Sequence, residues 1–169
     1  MIVYHGSNTI VESVDLDRCR PYKDFGKGFY TTPFIGQAQR MSMRVSRLFG
    51  NTAIVNTNNF DRSFLSKLNV LECNSPDAQW AQFVIKNRNR HFTDITSREC
   101  NQDAKYDIII GPVADDDIAL LFRQYTENLI TLEMLARGME FRHLSIQYSF
   151  HTKQALHALE FLGVIDDNI

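Results

Sequence analysis

Lys23-Asp24-Phe25-Gly26-Lys27-Gly28-Phe29-Tyr30-Thr31-Thr32 is the stretch on which the reading of this chain turns. Two glycines flank one lysine, and an aromatic pair then runs into a β-prone Thr-Thr step. Gly26 and Gly28 open backbone angles closed to other residues and let a ligand approach the main chain closely. Tyr30, directly after the bend, is a flat aromatic with a polar tip and suits stacking on a planar ring. The same residues are equally those of a tight loop that leads into a strand with a tyrosine in the core. A second short element, Tyr4-His5-Gly6-Ser7, adds weight to the functional reading.

Around these elements the bulk composition sets few limits. A length of 169 residues is that of one domain, expected over residues 1–169, with enough chain to bury a core. Hydrophobic residues make up 44% and charged residues 22%, ordinary for a globular protein. A net charge of -2 supplies no basic field for a polyanion, so a protein partner is favoured over nucleic acid. Cys19, Cys73 and Cys100 are scattered and odd in number, which argues against a zinc site or a disulfide framework. No metal is expected. With no basic apolar leader and no apolar run near the roughly 20 residues that span a bilayer, the chain reads as soluble and cytoplasmic, without a membrane partner.

Taken in order, Met1 to His5 reads as a buried strand ended by Gly6-Ser7-Asn8. His5 then either caps the strand or stands at the edge of a cleft. Val11 to Tyr22 is irregular, and the bend feeds a strand through about Thr32. Thr32-Pro33 predicts a helix start, with Thr32 as N-cap and Pro33 first in the helix. Phe34, Ala38, Met41, Val45 and Leu48 follow at helical spacing and form its expected core stripe. Ala53-Ile54-Val55 is a strand that runs into a turn at Asn56, Asn58 and Asn59, and Leu68 to Leu71 is another. Ser75-Pro76 again reads as cap and first helical residue, ahead of Trp80, Phe83, Val84 and Asn87 on one side. The basic run Lys86 to His91 suits a helix C-terminus, and Arg88 or Arg90 is alternatively a phosphate ligand. Tyr106 to Ile110 is a buried strand closed by Gly111-Pro112. Asp115, Asp116 and Asp117 cap the next helix, where the dipole favours them without any metal. Thr131 opens a short helix that Gly138 ends. Met139 to Phe150 reads as extended, with Phe141, His143, Ser145, Gln147 and Ser149 on one face and Leu144, Ile146, Tyr148 and Phe150 on the other. Thr152 starts a last helix, and Phe161 to Ile165 closes a sheet. Elements mixed without βαβ alternation define an α+β fold.

His-Gly-Ser at 5–7, Gly-Lys-Gly-Phe-Tyr at 26–30 and Gln-Tyr at 147–148 resemble the ADP-ribosyltransferase fold of the diphtheria-toxin and poly(ADP-ribose) polymerase branch. Over nearly its whole length the chain resembles the bacterial DUF3990 family. The strings that carry this are Tyr4 to Ser7, Lys23 to Thr32, Trp80 to Arg88, Asp107 to Asp116 and Gln147 to Thr152. The resemblance implies one ADP-ribosyltransferase-like domain, a split β-sheet core with peripheral helices, and NAD as substrate. His5 would hydrogen-bond a ribose hydroxyl, the Gly6 backbone the nicotinamide carboxamide, and Ser7 would reach the adenosine side. Gly28 would border the cofactor, and Tyr30 would stack on nicotinamide. Gln147 takes the place of the glutamate of a His-Tyr-Glu triad. An amide orients a hydroxyl but offers neither charge nor basicity.

The expected activity is therefore mono-ADP-ribosylation of an unknown macromolecular acceptor, with polymer elongation disfavoured by Gln147. NAD glycohydrolysis and a catalytically inactive NAD-binding module are the alternatives. Asp115 and Asp116 are candidate substitutes for the missing base. Met41 stands where some relatives carry a second aromatic around nicotinamide, although it also fits the core stripe. The resemblance further suggests a toxin or defence effector with an antitoxin-like partner.

Overall fold

The computed structural model describes residues 1–140, 142 and 144–166. In chain order the elements are β1 (Ile2–Ser7), β2 (Phe29–Thr31), α1 (Ile35–Phe49), β3 (Ile54–Phe60), β4 (Val70–Glu72), α2 (Ala78–Arg88), β5 (Ile108–Pro112), α3 (Asp116–Thr126), α4 (Leu132–Met139), β6 (Ile146–Phe150), α5 (Lys153–Leu156) and β7 (Leu159–Asp166). The strands form two sheets, one ordered β1-β3-β7 and one ordered β2-β6-β5-β4. All pairings are antiparallel except β4 with β5. The sheets touch where Tyr4 and Thr32 exchange two backbone hydrogen bonds of 2.8 and 2.9 Å. The fold is α+β with helices at the periphery.

Strand alternation sorts the side chains of the second sheet into two cores. One face gathers Phe25, Trp80, Phe83, Ile109, Ile118 and Phe122 under α2 to α4. The other carries Val3, Phe29, Phe60, Ile108 and Phe150. Tyr30 packs against the first cluster and its neighbour Phe29 belongs to the second. Among the described residues, no helix is long and apolar enough to cross a membrane.

Several boundaries differ from the sequence reading, each for a local reason. Thr32 does not cap α1: its hydroxyl accepts the Phe34 N–H at 3.2 Å, ahead of the helix, and Phe34 is the N-cap. In α2 the cap is Asp77, whose carboxylate accepts the Trp80 N–H at 2.8 Å, in place of Ser75. Gly111 and Pro112 are the last two residues of β5 itself, so the strand ends at Pro112 and not before Gly111. Gly138 does not stop α4. It sits at the crossing with α3, where an added Cβ would meet Leu121 at 3.0 Å. Of the run expected as extended from Met139, Met139 belongs to α4, β6 begins at Ile146, and Phe141 and His143 lie outside the described residues.

Two differences bear on the site. The core stripe expected on α1 is rotated, because its buried residues are Ala38 and Ser42 while Met41 is 47% exposed. The close crossing of α1 over Gly6 admits only small side chains, so the bulky ones turn outward. The asparagines Asn56, Asn58 and Asn59 form no turn and lie within β3. Asn56 is fully buried, accepting from Val11 N at 2.7 Å and donating to the Thr9 carbonyl at 3.1 Å. A buried amide is tolerated here because its polar atoms are met.

Candidate functional site

Gly6, on β1, is fixed by what lies above it. A Cβ there would fall 2.1 Å from the Ala38 carbonyl oxygen and 2.7 Å from Ser42 N. Antiparallel alternation turns the Gly6 N–H and C=O toward the edge where Tyr4 meets Thr32, and so toward the gap between the sheets. His5, the next residue back, points to the other face of the sheet, in register with Asn56. Its ring lies on Phe29 with centroids 4.3 Å apart, and its Nδ1 is 2.7 Å from the Tyr30 carbonyl oxygen. That carbonyl can only accept, so Nδ1 carries the proton and Nε2 of the neutral ring is an acceptor. Burial lowers the His5 pKa, partly opposed by the bond to Tyr30, and favours the neutral form.

Tyr30 is held by its hydroxyl. The oxygen accepts the Phe25 N–H at 3.0 Å and donates to the Gly26 carbonyl at 2.7 Å. Burial, reinforced by the charge of Asp24, raises its pKa well above the ordinary phenol value. The ring stacks near Phe25 at 6.4 Å and meets His151 edge-on at 6.1 Å. Gln147 shares this face of the second sheet, since Tyr30 pairs with Ser149 and Gln147 lies two residues along β6. Gln147 is 8% exposed. Its Nε2 donates to Asp24 Oδ2 at 2.9 Å and to the Pro112 carbonyl at 3.2 Å.

The structure thus joins Tyr30 and Gln147 through the turn Asp24–Gly26. It sets the His5 ring on the other face of β2, linked through the Tyr30 carbonyl. Ser7 closes β1 with a local bond, accepting the Thr9 N–H at 3.3 Å. Gly28 is required by packing, because a Cβ would lie 2.6 Å from His151 Nδ1 and 2.7 Å from the Phe150 carbonyl. An open groove of about 410 Å³ runs between the start of α1 (Phe34, Gln37, Arg40) and the approach to β6 (Leu144 to Ile146), and Gln147 is not part of its lining.

The pairings of five residues escaped the sequence reading. Asp24 is buried, and its Oδ1 takes two hydrogen bonds from Arg88, 3.0 Å from Nε and 2.6 Å from Nη2. Its Oδ2 accepts the Ala114 N–H at 3.2 Å as well as Gln147. Arg88 is therefore the counter-ion of Asp24, through charge-assisted bonds of the kind Arg makes with carboxylates. Asn101 and Asn87 brace the turn from below: Asn101 donates to the Phe25 carbonyl at 3.2 Å and to Asn87 Oδ1 through its N–H at 2.8 Å. Gly26, at φ +91°, is the position of the turn that needs glycine for its backbone. Asp115 is occupied as the N-cap of α3, and Asp117 pairs with Arg142 at 2.9 Å. The pairings themselves have no local signal, because the side-chain partners of Asp24 lie about 60 to 120 positions away in sequence.

His151 is the fifth of these residues. Its Nδ1 lies 2.8 Å from the Lys27 carbonyl and its Nε2 2.8 Å from Ser149 Oγ. Burial pushes its pKa down to about 4. The unfolded chain therefore binds more protons than the folded one between pH 6.5 and about 4, so stability rises with pH across that window. The contribution is fully present above pH 6.5 and lost as pH falls to about 4, a change of about 3 kcal/mol. Urea unfolding at pH 7 and pH 4 should show this slope, and His151→Gln should flatten it. A wild-type slope retained in the variant assigns the loss to other groups.

Two sheets meeting at a bridge, with a buried carboxylate–amide pair beside a tyrosine, define an α+β fold with a built polar centre. The chain belongs to the DUF3990 family, described as "Protein of unknown function", whose pattern matches residues 1–161. No curated protein and no solved structure matches it.

Proposed function

We propose that the chain is an NAD-dependent mono-ADP-ribosyltransferase. The observation that supports this best is the turn Asp24–Gly26, which grips the Tyr30 hydroxyl with its main chain and the Gln147 amide with its carboxylate. Both side chains are thereby fixed before any ligand arrives, the arrangement that orientation-dependent catalysis needs. With its hydroxyl occupied at both ends, Tyr30 offers its ring, a surface for nicotinamide. Gln147 has its two hydrogens spent on Asp24 and Pro112, so Oε1 is what it offers, an acceptor for a ribose hydroxyl. His5 Nε2 is a second acceptor for a hydroxyl, and the Gly6 edge supplies a donor and an acceptor for the carboxamide.

In the reaction the bond between ribose C1′ and the nicotinamide nitrogen breaks, its electron pair leaving with nicotinamide. Positive charge develops over C1′ and O4′ until the acceptor nucleophile attacks C1′ and gives up its proton. Gln147 cannot take that proton, and the Asp24 carboxylate is engaged by Arg88. The acceptor or a side chain beside it supplies the base, which suits a single transfer to a protein better than chain elongation. The same shortage of basicity favours, as a second reading, a module that binds NAD without cleaving it.

Nicotinamide release from NAD by the purified protein, alone and with cell lysate, separates these. The transferase should release nicotinamide only with lysate, and Tyr30→Ala should lower the rate about 10²-fold while remaining folded. Release without acceptor means a glycohydrolase. No release, with NAD still raising the melting temperature, means the binding module.

A further inference from the structure

We propose that Asp24 is a positioning residue that dictates both the chemical nature and the orientation of residue 147, so that the site accepts a hydrogen bond from a ligand hydroxyl through Gln147 Oε1. This rests on the reading of Gln147 as a ligand-facing group and extends it to a residue that touches no ligand.

Three facts carry the argument. Asp24 Oδ2 and the Pro112 carbonyl are both acceptors, and both face the same atom of residue 147, at 2.9 and 3.2 Å. An amide nitrogen satisfies two acceptors at once, so the flip of the Gln147 side chain is determined by its surroundings. A carboxylate at 147 would instead set negative oxygen against negative oxygen in a site 8 to 9% exposed. The Asp24 carboxylate, in turn, cannot rotate away. Arg88 holds Oδ1 with two hydrogen bonds, and the Ala114 N–H holds Oδ2 at 3.2 Å. The turn that carries Asp24 also binds the Tyr30 hydroxyl, so one braced segment sets the two groups in register.

Glutamine at 147 is therefore the reciprocal partner of aspartate at 24, with the amide at one position and the carboxylate at the other. The ligand meets the uncharged end. A hydroxyl that donates is recognised, and a ligand lacking it leaves a buried acceptor unmet.

The test uses the full chain and two isosteric exchanges, Asp24→Asn and Gln147→Glu, singly and together. Two readouts are independent of each other. The first is the Gln147 side-chain NH₂ pair by ¹⁵N NMR without ligand. The wild type should show slowly exchanging, shifted signals, and Asp24→Asn should return them to the solvent-exposed range. The second is binding of NAD against NAD lacking the 2′-hydroxyl on the nicotinamide ribose. The wild type should prefer NAD by about tenfold, and Asp24→Asn should erase the preference while still binding. Gln147→Glu alone should lower the melting temperature. The double variant should recover at least half of the loss, because the asparagine amide introduced at 24 can donate to the glutamate carboxylate introduced at 147.

Unchanged NH₂ signals in Asp24→Asn, or full discrimination retained by that variant, overturns the proposal. Additive melting losses in the double variant do the same, since coupled neighbours must depart from additivity. If the wild type binds neither nucleotide, the NAD reading fails, while the NMR signals and the melting cycle still decide the Asp24–Gln147 lock.

Discussion

Arg88→Ala is expected to destabilise the protein by about 3–5 kcal/mol. The reason is what it leaves behind. The Asp24 side chain is 12% exposed, and its charge is compensated by one guanidinium at 2.6 Å. An exposed ion pair of this kind would be worth little, but a buried carboxylate stripped of its partner retains its desolvation penalty without the attraction. The loss is a large share of the roughly 5–15 kcal/mol typical of a domain. In a chain of this length it should lower the melting temperature by about 10 °C. Denaturant unfolding of Arg88→Ala beside Arg88→Ala/Asp24→Asn gives the check. Removing the stranded charge should restore part of the loss, and a single variant within about 1 kcal/mol of wild type refutes the dependence of the buried Asp24 carboxylate on Arg88.

Gly6→Ala is the second large effect, expected at about 3 kcal/mol or more. The added methyl would sit 2.1 Å from the Ala38 carbonyl oxygen and 2.7 Å from Ser42 N, both main-chain atoms of α1. Neither can rotate aside, so α1 must lift from β1 as a unit. Unfolding measurements should show a lowered midpoint with an unchanged slope. A midpoint equal to wild type means that α1 yields to the methyl at no cost and that the crossing is loose. Lost NAD binding in Gly6→Ala would therefore report a displaced helix as much as a lost backbone contact. Gly6→Ala is thus a poor probe of chemistry. Tyr30 and Gln147 are better ones.

What was legible in the sequence is what local chemistry controls. The α+β class, a strand at Ile108 to Ile110, the buried face of Trp80, Phe83, Val84 and Asn87, and the caps at Asp115, Thr131 and Thr152 all follow from periodicity and capping, and all are present, although the strand begins two residues later than Tyr106 and runs on to Pro112. The misread features depend on distant neighbours. Asparagines that look like a turn become strand because Thr9 and Val11 come back to bond Asn56. The stripe of α1 rotates because a glycine on β1 admits the helix backbone. At the site, Tyr30 and Gln147 were visible as residue types in a pattern. Asp24, Arg88 and His151 were not, because their meaning lies in pairings across 64, 123 and 124 positions. Arg88 reads as part of a basic helix C-terminus, which it is, with a phosphate ligand as the alternative; its guanidinium is committed to Asp24.

The register of β2 has a consequence for how the polypeptide is made. Phe29, Tyr30 and Thr31 pair with Phe150, Ser149 and Tyr148. During vectorial synthesis, more than a hundred residues must emerge before β2 finds its partner. β1 and β3 can pair early, whereas the strand bearing Tyr30, tied to β1 only through the Tyr4–Thr32 bridge, waits for its partner within its own sheet. Closing loops of this length is slow, and waiting edges invite pairing with other chains. Yield at higher temperature should accordingly depend on how quickly the segment from Ile108 to Phe150 is delivered.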